Sequence, residues 1–152
     1  MRIVRRFPAL PRLLGPLLLV GALAGCESAE ERLAGHMERG QELVAEGAES
    51  RARLEFANAL KIDPDHVPAH LALARLYERT GEPGAMAGHL EKVVAFEREN
   101  VWALTRLAQF ALMSGERELA ERRAEAAVAA GPENAEAHAV RAAVRFAAGR
   151  AE

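Results

Sequence analysis

Residues 69–82 read AHLALARLYERTGE and residues 103–116 read ALTRLAQFALMSGE. Laid over one another, they match alanine at 69 and 103, leucine at 73 and 107, alanine at 74 and 108, and glycine at 81 and 115. The offset is 34 residues, and it runs on in both directions. Gly47, Gly81, Gly115 and Gly149 are each 34 residues apart, and each closes an apolar-periodic stretch of about 12 residues, where a left-handed C-terminal residue is expected. A fixed period of this length marks a repeat architecture, in which one supersecondary unit recurs and stacks on its neighbours.

In that register the chain divides into units 33–66, 67–100 and 101–134, with a half unit or capping helix over 135–152. Other columns agree with it. Ala69, Ala103 and Ala137 share one column, and Gly40, Ala74, Ala108 and Ala142 share another that calls for small side chains. Pro64 and Pro132 each close a second helix, while Asn100 and Asn134 stand where the next first helix needs an N-cap. The pattern resembles the tetratricopeptide repeat, a 34-residue helix–turn–helix. Unit one matches it best, through Gly40, Leu43, Ala52, Phe56, Ala59 and Pro64. Unit two carries Leu73, Ala74, Tyr77, Leu90 and Val93, with Met86 where the family has alanine and Arg98 where it has proline. Unit three carries Leu107, Ala108, Ala120, Ala127 and Pro132, but Ala111 and Ala124 replace large residues, which should thin its packing. The resemblance implies an all-α helical-hairpin solenoid of three full repeats.

Composition points the same way. Half of the 152 residues are hydrophobic, yet only 5% are aromatic, so the strand-favouring residues are scarce. The length suits one domain. The formal charge of −2 conceals a division: Arg2, Arg5, Arg6 and Arg12 lie in residues 1–25 without an acid, leaving 16 basic and 22 acidic residues beyond them. The basic face that nucleic-acid binding needs is not offered by such a balance.

The N-terminal segment has an arginine-bearing start and an apolar stretch from Leu13 to Leu23, eleven residues, which is too short to span a bilayer. That is the pattern of a secretory signal over residues 1–25. Leu23, Ala24, Gly25 and Cys26 resemble the lipobox of bacterial lipoproteins. The resemblance implies cleavage before Cys26, acylation of that residue, and a membrane-attached protein facing the periplasm; Glu27 favours the outer membrane. A chance cysteine beside an ordinary cleavage site is the alternative. Arg5 and Arg6 do not continue into a good twin-arginine pattern, so general secretion is preferred. As the chain's only cysteine, Cys26 has no internal disulfide partner. Residues 26–32 then hold the lipid-bearing position and the start of a helix, with Ser28 and Glu31 spaced as a capping box.

Arg141 and Arg145 occupy the columns of Leu73 and Tyr77, read as the side that a following helix would cover. That favours a terminal cap with a wet outer face. The competing reading is a chain that belongs to a longer array, since AAGRAE resembles a continuing turn.

Each reactive residue type has a structural explanation. His36, His70 and His138 share the column of a large family aromatic and are expected to pack or to be partly exposed. His66 and His70 are four apart, but Pro68 starts a helix between them, and zinc needs three or four convergent ligands. Ser28, Ser50 and Ser114 fall at a cap or near turns. Glu118, Glu121 and Glu125 with Arg122 read as a solvated helix face. No nucleophile elbow or phosphate loop occurs. The expectation is a non-catalytic protein with no cofactor and no metal.

The family binds extended peptides or partner helices on the concave face formed by its first helices. Carried over position by position, that lining is Met37, Glu38 and Gln41, then Leu71, Arg75 and Arg79, then Trp102, Arg106, Gln109 and Met113. The three arginines suit carboxylates of an acidic peptide. Of the positions at which some members clamp a chaperone's terminal carboxylate, held here by Met37, Gln41, Ala72, Trp102 and Arg106, only Arg106 fits. The reading is a lipid-anchored adaptor in envelope assembly, of pilus, secretion or polysaccharide-export type. Its alternative is a structural module of a longer or self-associating scaffold.

Overall fold

The computed structural model describes residues 28–149, so the signal segment and Cys26 lie outside the described residues. The described chain folds into seven helices: α1 (Ala29–Ala45), α2 (Glu49–Ile62), α3 (Val67–Thr80), α4 (Pro83–Phe96), α5 (Val101–Met113), α6 (Arg117–Ala130) and α7 (Ala135–Ala147). No strand occurs among the described residues. No helix among them is long and apolar enough to cross a membrane.

The helix boundaries follow from local chemistry. Ser28 and Glu31 form a reciprocal capping box, with the Glu31 amide donating to Ser28 Oγ at 3.0 Å and the Ser28 amide donating to Glu31 Oε2 at 2.7 Å. The Asn100 side chain accepts from the amide of Ala103 at 3.0 Å, and that of Asn134 accepts from Ala137 at 2.9 Å. Gly47, Gly81, Gly115 and Gly149, at φ of +73° to +78°, end the four first helices in the left-handed region. The turn is sealed by a six-residue backbone bond, from Ala48 to Leu43, Glu82 to Tyr77 and Glu116 to Ala111. Pro64 and Pro132 stand two residues past α2 and α6, where they prevent continuation.

Each helix packs on the next, and the first helices α5 and α7 also touch. Three linked cores result, and each takes side chains from more than one unit. The first joins Met37, Leu43, Ala52, Phe56 and Ala59 to Ala69, Leu73 and Leu76 of α3. The second draws mainly on α4 and α5, around Leu90, Val93 and Leu104. The third is Ala108, Ala111, Ala120 and Ala124 closed by Val140 and Val144 of α7. Its alanines are fully covered, so the small residues expected to thin this unit leave it with fewer carbons in a close-packed core. Size is matched across each hairpin. Phe56 lies against Gly40, whereas Leu90 shares a core with Ala74, and Ala124 with Ala108.

Two expectations are corrected here. Arg141 and Arg145 do not form a wet outer face, because their column turns back toward the preceding second helix. Leu73 of that column packs with α2, and both arginines reach Glu125 on α6, at 3.4 and 3.0 Å. Glu125 is therefore an inter-helix partner rather than part of a purely solvated face. The outer side of α7 instead exposes Ala142, Ala143 and Phe146, the last 75% accessible.

Candidate peptide-binding groove

The face built by the first helices is organised around Trp102, the second residue of α5. The indole is half-buried and packs on the second core. Over it lies the guanidinium of Arg75 from α3, 4.5 Å from the ring centroid, with that of Arg106 at 5.8 Å. Stacking of this kind orients a guanidinium while leaving its N–H edge open to a carboxylate.

The three groove arginines differ in what already holds them. Arg106 is bonded to both Glu78 of α3 and Glu136 of α7, and its Nη1 reaches Gln109 Oε1 at 3.3 Å. Burial works against its charge, but the hydrogen bonds to Glu136 and Glu78 and the charges of both overcome that cost and hold its pKa above the usual value. Arg79 pairs with Glu49 at the start of α2, at 3.1 Å. Arg75 alone of the three has no carboxylate partner among the described residues. Arg106, the position that fitted the chaperone clamp, is thus committed to tying three first helices together.

Two hollows flank this centre. One lies between α1 and α3 with α2 as floor, and brings Gln41, Val44, Phe56, Ala72 and Leu76 together beneath Arg75 and Arg79. The other lies between α3 and α5 above α4, and is lined by Glu78, Glu82, Met86, Arg106, Gln109 and Met113 among others. Of the remaining predicted lining residues, Glu38 is exposed and Leu71 packs half-buried on the second core. Met37 is not part of the lining: it is 9% accessible and belongs to the first core, because its side chain turns toward α2 and α3.

Glu49, Glu78 and Glu136, which set the availability of the arginines, were missed by the sequence reading. The signal was present, since Arg106 is 28 residues from Glu78 and 30 from Glu136, about one repeat less a turn, which is where neighbouring first helices meet. Four of the five histidines are held by bonds within the fold. Nδ1 of His36 bonds Glu55 at 2.7 Å, and that bond, against the cost of burial and with Arg39 alongside, holds the Glu55 carboxyl below its usual range. His138 Nε2 reaches the carbonyl of Pro132 at 2.7 Å. His70, 5% accessible, donates from Nε2 to the carbonyl of Pro64 at 2.9 Å, which leaves Nδ1 to accept from His89 Nδ1, also at 2.9 Å. His89 is pushed down by burial and by the neighbouring His70. Among the described residues no group of three or more His, Cys, Asp or Glu side chains converges as a metal site.

No curated protein sequence matches the chain. Its fold is similar to those of several solved structures. MamA superposes with a TM-score of 0.74 at 24% identity over 80% of this chain, which spans 66% of that one. The first TPR domain of Spaghetti (RPAP3), bound to the HSP90 peptide SRMEEVD, gives 0.69 at 18% identity over 82% of this chain and 99% of its own. Pseudomonas aeruginosa PilF gives 0.61 at 22% identity over 80% of this chain and 56% of its own. The tetratricopeptide repeat pattern matches residues 43–85 and 87–144, more than half of the sequence, and the chain belongs to that family.

Proposed function

We propose that this protein is a non-catalytic adaptor, attached to a bacterial membrane by lipid on Cys26, which holds a segment of a partner protein along the face of α1, α3 and α5. The observation that carries the reading is Arg75, a guanidinium stacked on Trp102 in an apolar groove with no carboxylate partner among the described residues. An intramolecular role would consume that charge, as Glu78 and Glu136 consume Arg106. Support comes also from the RPAP3 domain, whose similar fold holds a short acidic peptide.

Membrane attachment rests on LAGC at 23–26 behind an arginine-bearing apolar segment. With α1 capped at Ser28, at most about 7 Å of extended chain separates the lipid-bearing residue from the first helix. The array then lies against the bilayer and presents its groove at a nearly constant height. The adaptor serves assembly in the envelope, facing the periplasm and held in the outer membrane. Expression of the full chain in a Gram-negative host with an alkyne-palmitate label tests this: wild type is labelled and membrane-bound, and Cys26→Ser is neither. A labelled or membrane-retained Cys26→Ser protein sinks the anchor. Mild cross-linking and pull-down with Arg75→Glu tests the groove, and an unchanged partner list removes it.

A second reading is favoured by the exposed Ala142, Ala143 and Phe146 on α7: a module of a self-associating or longer scaffold joined at that end. Sedimentation equilibrium decides self-association, because a monomer at every concentration ends it.

A further inference from the structure

The two hollows of the groove have opposite electrical character, and this carries the proposed function further. In the first, Val44, Phe56 and Leu76 make an apolar floor and Arg75 and Arg79 stand at the rim, with only Glu49 as a counter-charge. In the second, Glu78 and Glu82 stand at the wall, and Arg106 is shared between Glu78 and a further acid, Glu136. Glu82 is met by Arg53 from the far side and by the hydroxyl of Thr80. A carboxylate laid across the first hollow finds an unpaired guanidinium, whereas in the second it meets like charge. A cation finds the reverse.

Resting on the reading that the groove binds peptide, we propose that it selects an extended segment of fixed charge order. An apolar side chain fills the hollow over Phe56, and an adjacent aspartate or glutamate lies on Arg75. A lysine or arginine then lies against Glu78 and Glu82. Arg75 and Glu78 lie one turn apart on α3 and Glu82 lies just past its end, about 5–10 Å along the helix at about 1.5 Å per residue, and extended chain advances about 3.3 Å per residue, so acid and base are separated by up to about three positions. The partner is therefore a mixed-charge segment with an apolar–acidic pair, and a purely acidic tail is rejected by the second hollow. Like-charge contact of that kind discriminates against wrong partners more sharply than attraction alone does.

Trp102 is the chain's only tryptophan and lies under Arg75, so its fluorescence reports occupancy directly. A random dodecapeptide library is selected on the protein, and the enriched sequences are titrated as synthetic peptides beside versions with acid and base exchanged. The expected result is enrichment of apolar–acidic pairs with a base up to about three residues on, and at least tenfold weaker binding after exchange. Arg75→Glu, at an exposed position, inverts the preference at the acidic position to lysine; Glu78→Lys with Glu82→Lys inverts it at the basic one. A structural role for these residues would weaken binding without inverting it. Peptides that bind and quench Trp102 with no charge order overturn the selectivity and leave the groove standing, whereas an Arg75→Glu protein of unchanged preference overturns both. A library from which nothing is enriched, or whose enriched peptides leave Trp102 unquenched, overturns the groove itself and the selectivity with it.

Discussion

A Cβ built on Gly40 would lie 2.4 Å from Cε1 of Phe56, well inside any contact that real atoms make. The first hairpin is closed by the largest second-helix side chain of its column because the first helix opposes it with no side chain at all. Gly40→Ala gains up to about 1 kcal/mol of helix propensity. Against that stands overpacking of a covered ring, about 1–3 kcal/mol, so the variant should be less stable by about 1 kcal/mol in urea unfolding. The second unit already shows the compensated pair, Ala74 with Leu90. Adding Phe56→Leu to Gly40→Ala should therefore cost less than the two single changes together, and a strictly additive pair would refute the size matching.

The asparagine caps predict two outcomes from one substitution. Removing either N-cap side chain costs about 1 kcal/mol. Asn100→Ala acts on α5, which lies between neighbours, so the whole array should lose stability. Asn134→Ala acts on α7, whose outer side is open, so hydrogen exchange should rise in 135–147 while the first two units keep their protection. Uniform loss of protection in Asn134→Ala would show that α7 unfolds only with the rest.

The His70–His89 pair predicts an early acid transition. His89 titrates below its usual value because burial, and next the charge of His70, oppose its protonation. The folded chain thus binds fewer protons than the unfolded chain in this range, and stability rises with pH there. The contribution is complete above the ordinary histidine pKa of about 6.5 and is lost as pH falls through the lowered folded value. Arg53 lies over the ring of Tyr77, which itself stacks on His89, and adds a further positive charge nearby. Glu31 and Glu55, both held below the carboxylate range by hydrogen bonds, lose their contributions only below about pH 4.5. Denaturation from pH 8 to 4 should show decline setting in near pH 6.5, and His89→Gln should remove that early portion alone. An identical early decline in His89→Gln would assign it elsewhere.

The solenoid was legible because its determinants recur. Left-handed glycines, N-cap asparagines and covered alanines each appear in several copies 34 residues apart, and one misread copy is corrected by the others. The groove was legible in part. Which positions lie on first helices follows from the register; Gln41 and Arg75 line one hollow, and Arg75 and Arg106 both lie over Trp102. How far a side chain turns toward its neighbour does not follow, so Met37 proved to be core. Nor does charge availability: Arg75, Arg79 and Arg106 read alike in sequence, and only the positions of Glu49, Glu78 and Glu136 separate them. The end of the array was misread for a related reason. A column shared with Leu73 says which way Arg141 points, but α2 beneath Leu73 shows that this direction is backward.

The same contrast yields a change that should add function. Arg106 has the groove position and the charge to meet a ligand carboxylate, but Glu78 and Glu136 occupy it from both sides. Glu78→Gln with Glu136→Gln keeps the side-chain shapes and hydrogen bonding while removing both charges. Exposed ion pairs contribute about 0.2–1 kcal/mol each, so the double variant should lose no more than about 2 kcal/mol and stay folded. Its second hollow then turns from acid-repelling to acid-accepting. Peptides carrying two acids about three residues apart should bind the variant at least tenfold more tightly than wild type, with steeper salt dependence as expected for a new charge contact. The outcome does not depend on how tightly wild type binds its own partner, because only the change is read. If the variant folds and acidic peptides gain nothing, the intramolecular glutamates are not what closes Arg106 to ligand, and its half-buried guanidinium is a strut between first helices alone.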